Sequence, residues 1–392
     1  MANVTIYDGA PLAHNLGVFG CPAEFVGHTI APAAVVYRFK PLDLAHYTER
    51  KAKTAAERLG VFIARPVRFS STSGGFSIAI DREERRYINL WQCNAPLIEN
   101  APRVFIPLGI DDEGNARAIA LEDCPHLLIA GASGSGKTSY LHAIIAGICC
   151  NSRASLILID CKRVEFGRWA RDLKLAAPVI TDAQKAAKYL RGAVEEMGRR
   201  YNALRAQGLR DNSAGTFEPL VIIVDEFADL ILSNREEVEP LIIKISQLGR
   251  AAGVHLIIAT QRPTVNILSG LILANIPARV CLSVAAVRDS VVMLDHKGGE
   301  ELRGKGDAIV KLANGDEFHT QAPYLTAEQI EQVEATRPPH PKFKDNGELW
   351  DAQPPPRPTQ PKKRRLFQRL RELFRGEPVV TDEMIDSDEI TE

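Results

Sequence analysis

The sequence lacks the features that mark membrane, secreted or strongly basic proteins. Its 392 residues carry 48 Lys and Arg against 49 Asp and Glu, so the net charge of -1 gives the whole chain no attraction for nucleic acid. No uncharged apolar run approaches the roughly 18 residues that span a bilayer, and no basic segment followed by an apolar stretch opens the chain. The seven cysteines include no Cys-x-x-Cys pair, which argues against a disulfide framework or zinc ribbon. These absences predict a reduced, cytoplasmic protein in which a local group of residues, rather than the charge of the whole chain, makes any contact with phosphate.

Composition shifts divide the chain into several segments. Eight of the 24 prolines fall between Pro338 and Pro361, which predicts an extended linker, and a basic stretch and an acidic stretch follow it. We expect six segments: an N-terminal extension (1–23), a small α+β domain (24–100), a larger α/β domain (101–336), a Pro-rich linker (337–361), a basic amphipathic helix (362–376) and an acidic tail (377–392).

The larger domain alternates β-branched apolar runs with helical stretches. Such an alternation predicts an α/β fold with a mostly parallel sheet, here preceded by the small α+β domain and followed by a disordered Pro-rich, charged tail. The expected strands of the larger domain are His126–Ala130, Leu156–Asp160, Leu220–Asp225, Val254–Thr260 and Ala278–Val284. Asp182–Gln207 reads as a long amphipathic helix capped by Thr181. In the small domain we expect a helix at Leu44–Leu59 and strands at Gly60–Phe69, Phe76–Asp81 and Tyr87–Trp91.

A complete phosphate-loop pattern follows the first of these strands. It reads Gly131-Ala132-Ser133-Gly134-Ser135-Gly136-Lys137-Thr138, and Ser139 continues it into a helical stretch. Glycines let consecutive amides turn toward phosphate, while the helix N-terminus adds its positive dipole end. Lys137 would place a charge on the β- and γ-phosphates and Thr138 a hydroxyl on Mg²⁺.

Two further strand ends carry polar groups suited to phosphoryl transfer. Asp225 and Glu226 close an apolar strand; Asp225 is expected to hold the metal, and Glu226 to polarise a water for attack on the γ-phosphate. Helix capping is the alternative for this pair. Gln261 closes another strand and would sense the γ-phosphate, the alternative being an ordinary strand-end residue.

From about residue 102 to residue 326 the chain resembles the motor of the FtsK/SpoIIIE DNA translocases, which are hexameric RecA-like ATPases that pump double-stranded DNA. The matching stretches are Pro125–Gly131 leading into the phosphate loop, Leu158-Ile-Asp160 with Lys162-Arg163, Val224–Leu230, Arg250–His255, Ala259–Pro263, Ala274–Arg279, and Asp295 with Gly306-Asp307. Residues 24–95 more faintly resemble the small domain that precedes this motor.

The resemblance implies roles for individual residues. Lys137, Thr138, Asp225, Glu226 and Gln261 would serve ATP and Mg²⁺ as described. An arginine acting on a neighbouring subunit's site would be Arg250 or Arg279, with a surface or ion-paired arginine as the alternative for each. Lys162, Arg163 and Arg262 are candidate contacts to DNA phosphate, or else solvated loop charges.

The resemblance also leaves open what the motor moves. Membrane spans and a sequence-reading module are not evident, so we expect a ring that moves DNA for a mobile element, plasmid or virus. The rivals are a protein-translocating ATPase of type VII secretion and a nucleotide-dependent scaffold. The basic helix at 362–376 is expected to anchor the chain peripherally to a membrane or partner, with packing back on the body as the alternative.

Overall fold

The computed structural model describes residues 6–72, 74–82, 87–93, 104–152, 154–170 and 175–334. Within these residues the chain divides into two compact units, one formed by residues 6–88 with 110–116 and the other by residues 89–109 with 117–334. The expected boundary between residues 100 and 101 lies outside the described residues. So do the linker, the basic helix and the acidic tail expected from residue 337 onward.

The first unit is built on an antiparallel sheet whose strand order is β1-β2-β4-β3. Its elements are α1 (Gly9–Val18), β1 (Ala23–Ile30), β2 (Ala34–Pro41), α2 (Glu49–Phe62), β3 (Val67–Thr72) and β4 (Gly75–Asp81). The two helices bury Leu16 and Leu59 in one cluster with Tyr37, Phe39 and Phe76 from the strands. This cluster is the core of the first unit.

Several sequence-based bounds in the first unit were wrong. The helix expected from Leu44 begins at Glu49, because Thr48 is extended and its side chain accepts a hydrogen bond from the amide of Lys51. That helix then runs through Phe62, so the strand expected from Gly60 starts only at Val67. The segment expected as an N-terminal extension contains α1, whose Leu16 is fully buried.

The second unit carries a nine-stranded sheet in the order β7-β6-β14-β13-β12-β8-β11-β10-β9. A short strand, β5 (Ile88–Asn89), precedes it. The elements that follow are β6 (Phe105–Asp111), β7 (Ala116–Ala120), β8 (His126–Ala130), α3 (Lys137–Asn151), β9 (Ser155–Ile159), α4 (Ala183–Ala206), β10 (Leu220–Val224), α5 (Phe227–Ala252), β11 (Val254–Thr260), α6 (Gly270–Asn275), β12 (Ala278–Leu282), α7 (Val287–Leu294), β13 (Asp307–Lys311), β14 (Glu317–Gln321), β15 (Pro323–Tyr324) and α8 (Ala327–Glu334).

Five neighbouring strands of this sheet, β12, β8, β11, β10 and β9, run parallel. Their residues are all buried, as expected for continuous apolar runs in a sheet covered on both faces. β13 and β14 continue the sheet antiparallel beside β12. The predicted α/β class with a mostly parallel sheet is confirmed, and the five strands lie within two residues of their expected bounds.

The long helix α4 spans the expected residues but is capped differently. Asp182, rather than the expected Thr181, is the capping residue, and its carboxylate accepts from the amide of Lys185. The buried face of α4 also includes a charged pair, because Arg200 donates to Glu196 at 2.7 Å and to the main-chain oxygen of Ala252 at 2.9 Å. Full pairing lets this arginine lie in the interior.

Helix α5 runs from the C-terminal end of β10 back to the N-terminal end of β11, and it is not straight. Asn234 has a non-helical backbone (φ -156°, ψ 59°), and Pro240 lies six residues further on. Although α5 has 26 residues, no helix among the described residues is both long and apolar enough to cross a bilayer.

Candidate phosphate-binding site

The phosphate loop leaves the end of β8, a central strand between β12 and β11. Gly134 and Gly136 have φ values of 79° and 97°, which only glycine adopts without strain. The loop then enters α3 at Lys137. The unpaired amides of this first helical turn therefore face the open edge of the sheet, where an anion is favoured.

The loop is closed on one side and open on the other. Ala132 donates its amide to the main-chain oxygen of Ser283, and Ser135 donates to that of Ala132. Ser135 is buried, whereas Ser133 and Gly134 are exposed and Ala132, Thr138 and Ser139 are half-buried. An added Cβ at Gly131 would lie 2.4 Å from Oγ of Ser135, so a larger residue does not fit there.

Lys137 and Asp225 form a buried ion pair. The ammonium of Lys137 donates to the main-chain oxygen of Asp225 at 2.6 Å and to its Oδ1 at 2.9 Å. Both side chains are less than 5% exposed. The carboxylate compensates a charge that would otherwise be expensive to bury, and it keeps the lysine at the mouth of the loop.

Glu226 is held by donors from two elements. Its Oε1 accepts from Oγ1 of Thr260 at 2.7 Å, and both its oxygens accept from the amide of Gln261. The same carboxylate caps α5 through the amide of Ala228. Glu226 is therefore a helix cap, the alternative expected for this pair, and its carboxylate is fixed at the sheet edge.

Gln261 reaches the site through its main chain. Its amide bonds Glu226, while the residue itself is exposed at the end of β11. Thr260, which sequence reasoning missed, is the fully buried side-chain donor to Glu226. The signal was available, because a threonine at a strand end beside an expected catalytic carboxylate is placed to donate to it.

The loop after β9 brings a further carboxylate to the site. Oδ2 of Asp160 accepts from the amides of Glu165 and Phe166, both at 2.9 Å, and so shapes the loop. Glu165 lies beside Thr138 and Asp225; burial first, and then the charge of Asp225, raises the pKa of its carboxyl. Neither acid was expected at the site, although Asp160 also closes an apolar strand.

The three residues expected to contact DNA lie in two loops at this edge. The ammonium of Lys162 lies 3.8 Å from Oε2 of Glu226 and 3.7 Å from Oδ2 of Asp229. Arg163 is exposed and has a left-handed backbone (φ 60°). Arg262 is exposed, and its amide donates to Oγ1 of Thr260. Lys162 is thus the one of the three that contacts the carboxylates.

A second loop, residues 304–306, braces the phosphate loop from outside. The amide of Lys305 donates to the main-chain oxygen of Gly134 at 3.3 Å, and that of Gly306 donates to Ser135 at 2.8 Å. All three residues of this brace have positive φ. An added Cβ at Gly136 would lie 2.5 Å from the amide nitrogen of Gly306. Gly136 is therefore required both for its φ and for this close approach.

The two candidate arginines have different environments. Arg279 is 9% exposed and donates to main-chain oxygens of Leu273, Val292 and Met293. Arg250 lies exposed in the last turn of α5, and its Nε donates to the main-chain oxygen of Glu122. Both lie away from this chain's own phosphate loop, because α5 ends, and β12 begins, at the opposite edge of the parallel strands.

A parallel sheet that presents a glycine-rich loop, a buried lysine and adjacent strand-end carboxylates at one edge defines a P-loop NTPase of the RecA-like type. The sequence model of the FtsK/SpoIIIE family matches residues 92–218 and 212–265. Curated relatives agree with that match. The chain is 36% identical over 294 residues to the DNA translocase FtsK of Tropheryma whipplei, covering 70% of this chain and 39% of the relative. It is 32% identical over 354 residues to the DNA translocase SpoIIIE of Bacillus subtilis, covering 84% of this chain and 45% of the relative.

The chain belongs to the FtsK/SpoIIIE family, as its motifs led us to expect. It spans about two fifths of the length of these relatives. Among solved structures, the pCW3 conjugation coupling protein TcpA, in a monomer form with ATPgS, shares the fold with a TM-score of 0.58 at 20% identity, covering 83% of this chain and 98% of TcpA. The cytoplasmic domain of the type VII secretion ATPase EccC of Thermomonospora curvata does so with a TM-score of 0.54 at 22% identity, covering 65% and 35%.

Proposed function

We propose that this protein hydrolyses ATP and uses the energy to move double-stranded DNA. The observation that carries the proposal is the convergence of Lys137, Asp225 and Glu226 beside an open phosphate loop. The names of the curated relatives, DNA translocases at 32% to 36% identity, motivate the choice of DNA as the substrate.

The residues suit a nucleotide triphosphate. Lys137 would exchange part of its bond to Asp225 for the β- and γ-phosphates, while the loop amides from Gly131 to Ser139 hold the phosphate oxygens. Glu226, fixed by Thr260 and by the amide of Gln261, would accept a proton from the attacking water. The Gln261 side chain, exposed at the strand end, would orient that water.

The oxygen donors at this edge suit Mg²⁺. A hydroxyl and carboxylates are ligands for a hard cation, and we assign Thr138 and Asp225 to it. The ion, when bound, neutralises charge on the phosphates. Glu165, beside Thr138, would orient the hydroxyl of that residue.

We propose a ring, expected by resemblance to be a hexamer, in which Arg250 completes the neighbouring subunit's site.

 The guanidinium of Arg250 is exposed at the edge opposite this chain's own phosphate loop, so it is available to another copy. Arg163 and Arg262, exposed in the two loops at the phosphate edge, are proposed to contact DNA phosphate. Contacts repeated around a ring suffice even when the chain as a whole is neutral.

The cargo and location are also proposals. The fold shared with a conjugation coupling protein, over 98% of that chain, motivates DNA of a mobile element, plasmid or virus as the cargo. The basic segment 362–376 is proposed to anchor the protein at a membrane or to a protein partner. Truncation after Thr359 should release the protein from that site, and an unchanged association would count against the anchor.

The first experiment is ATP hydrolysis with and without linear double-stranded DNA, using Lys137→Ala as the blank. We expect DNA to stimulate hydrolysis and the stimulation to fall as salt rises, because phosphate contacts release counterions. Hydrolysis that is indifferent to DNA would refute the DNA motor and favour a protein-translocating ATPase or a scaffold.

A further inference from the structure

The charge at the phosphate edge is one-sided. Five carboxylates gather there: Asp160, Glu165, Asp225, Glu226 and Asp229. Two lysines are paired with members of this group among the described residues. Lys137 is paired with Asp225, so the carboxylate of Glu226 depends on Lys162 for a nearby cation.

Lys162 is an exposed partner of the buried Glu226. The side chain of Lys162 is 43% exposed, whereas that of Glu226 is 4% exposed. Thr260 and the amides of Gln261 and Ala228 hold Glu226 from within the protein. The ammonium of Lys162 lies nearest to Oε2, whereas Thr260 donates to Oε1.

The main chain that carries Lys162 is fixed. The main-chain oxygen of Asp160 accepts a hydrogen bond from the amide of Arg163. Its carboxylate accepts from the amides of Glu165 and Phe166. The ring of Phe166 is fully buried and anchors the far end of the loop. The position of the Lys162 stem is therefore set by the fold of the loop.

We propose that Lys162 is a positioning residue for Glu226. Its ammonium lies 3.8 Å from Oε2 and reduces the negative charge at the place where the γ-phosphate and its attacking water would meet. This role rests on the proposed function, and it replaces the contact with DNA expected for Lys162 by resemblance.

Three variants test the role. Lys162→Met keeps most of the aliphatic stem and removes the charge, Lys162→Arg keeps the charge, and Lys188→Met removes an equal charge from an exposed position on α4. For each we would measure kcat and KM for ATP at saturating DNA, the Kd for ADP, the Kd for DNA and the thermal midpoint.

We expect Lys162→Met to lower kcat about 10- to 100-fold, the cost of misplacing a catalytic group, with the Kd values for ADP and DNA within about twofold of wild type. Lys162→Arg should recover most of the lost kcat, and Lys188→Met should match wild type. A kcat within about twofold of wild type, together with weaker DNA binding, would overturn the proposal in favour of a DNA contact. Equal losses in kcat and ADP affinity would overturn it in favour of direct nucleotide binding.

The outcome is separable from the proposed function. If wild type hydrolyses no more ATP than Lys137→Ala, the proposed function fails and the Lys162 proposal fails with it. If wild type is active but Lys162→Met keeps its kcat, only the positioning role fails. A folding defect in Lys162→Met would appear in its thermal midpoint, and Lys162→Arg would then carry the test: a kcat below about a tenth of wild type in that folded variant would overturn the role.

Discussion

Oγ1 of Thr260 lies 2.7 Å from Oε1 of Glu226, so the strand β11 fixes a carboxylate that belongs to the end of the neighbouring strand β10. Both residues are buried. Thr260 also accepts from the amide of Arg262, which connects the carboxylate to the loop that follows β11.

We predict that Thr260→Val lowers kcat for ATP hydrolysis about 10-fold or more, because it removes the hydroxyl donor while keeping the side-chain shape. Thr260→Ser keeps the hydroxyl and should retain most of the activity. Steady-state hydrolysis at saturating ATP measures both, and a Val variant as active as the Ser variant would contradict the prediction.

Removing Lys137 should affect stability as well as hydrolysis. Lys137→Ala leaves Asp225 as an uncompensated buried carboxylate, which is expected to lower the free energy of unfolding by about 3 kcal/mol. Adding Asp225→Asn removes the buried charge and should restore part of that loss, although hydrolysis stays absent. Urea titrations of the two variants in the absence of nucleotide measure the difference. Equal unfolding free energies for Lys137→Ala and wild type would disprove the electrostatic argument.

The brace at residues 304–306 is expected to set nucleotide affinity. Gly306→Ala places a Cβ 2.7 Å from Nε2 of Gln321 at a φ of 90°, and that nitrogen donates to the main-chain oxygen of Lys305, so a contact that holds the brace is displaced. We predict about 10-fold weaker ADP binding, which corresponds to about 1.4 kcal/mol.

Gly315→Ala is the matched control for this substitution. Its φ is 91° and a Cβ there meets nothing within 4 Å, so it carries the same backbone strain of about 1 kcal/mol without touching the phosphate loop. Calorimetric titration with ADP distinguishes the two variants. If both bind ADP as wild type does, the brace has no role in the phosphate site.

The alanine variants of the two arginines should differ in their free energy of unfolding. Arg279→Ala removes a buried guanidinium that satisfies three main-chain oxygens and should lower the unfolding free energy by about 3 kcal/mol. Arg250→Ala, at an exposed position, should leave stability within about 0.5 kcal/mol of wild type and abolish hydrolysis. Mixing Arg250→Ala with Lys137→Ala subunits should then restore part of the activity, and failure at every mixing ratio would refute an action in trans.

A buried histidine pair should make the fold sensitive to acid. His126 and His255 lie with ring centroids 6.4 Å apart, and burial lowers their pKa values to about 3 and about 4. The unfolded chain binds protons from about pH 6.5 downward while the folded chain does not, so the free energy of unfolding falls as the pH drops from about 6.5 to about 4.

We predict that His255→Asn reduces this loss by about 2 kcal/mol between pH 7 and pH 4.5, because one site that gains a proton on unfolding is removed. Urea titrations at several pH values give the slope. The same slope in the variant and in wild type would show that other groups cause the acid sensitivity.

The parallel strands were predictable because they are short and largely apolar, with a polar residue following each run. β8 and β11 fall on the residues expected from sequence. The first unit was less predictable. β1 alternates only weakly between buried and open positions, and the cap at Thr48 overrides the apolar spacing that pointed to Leu44 as the helix start.

At the site, sequence spacing brought out the residues that close apolar strands or sit in the phosphate-loop pattern. It missed Thr260, although its position at a strand end was a signal. It also missed Glu165 and the contact of residues 304–306 with the phosphate loop, which depend on which elements become neighbours. β13 lies beside β12, and only that placement carries Gly306 to the phosphate loop. A single sequence does not encode that neighbourhood as a local pattern.

Helix α5 has Glu226 at its start and Arg250 in its last turn, some 24 residues and at most about 36 Å apart. Under the proposed scheme this one helix therefore reaches two ATP sites, that of its own subunit and that of the next subunit around the ring. The non-helical backbone at Asn234 lies between these two residues, so the segment bearing Arg250 does not continue the helical hydrogen bonding of the segment bearing Glu226. In such a ring, α5 would couple ATP hydrolysis at one site to hydrolysis at the next.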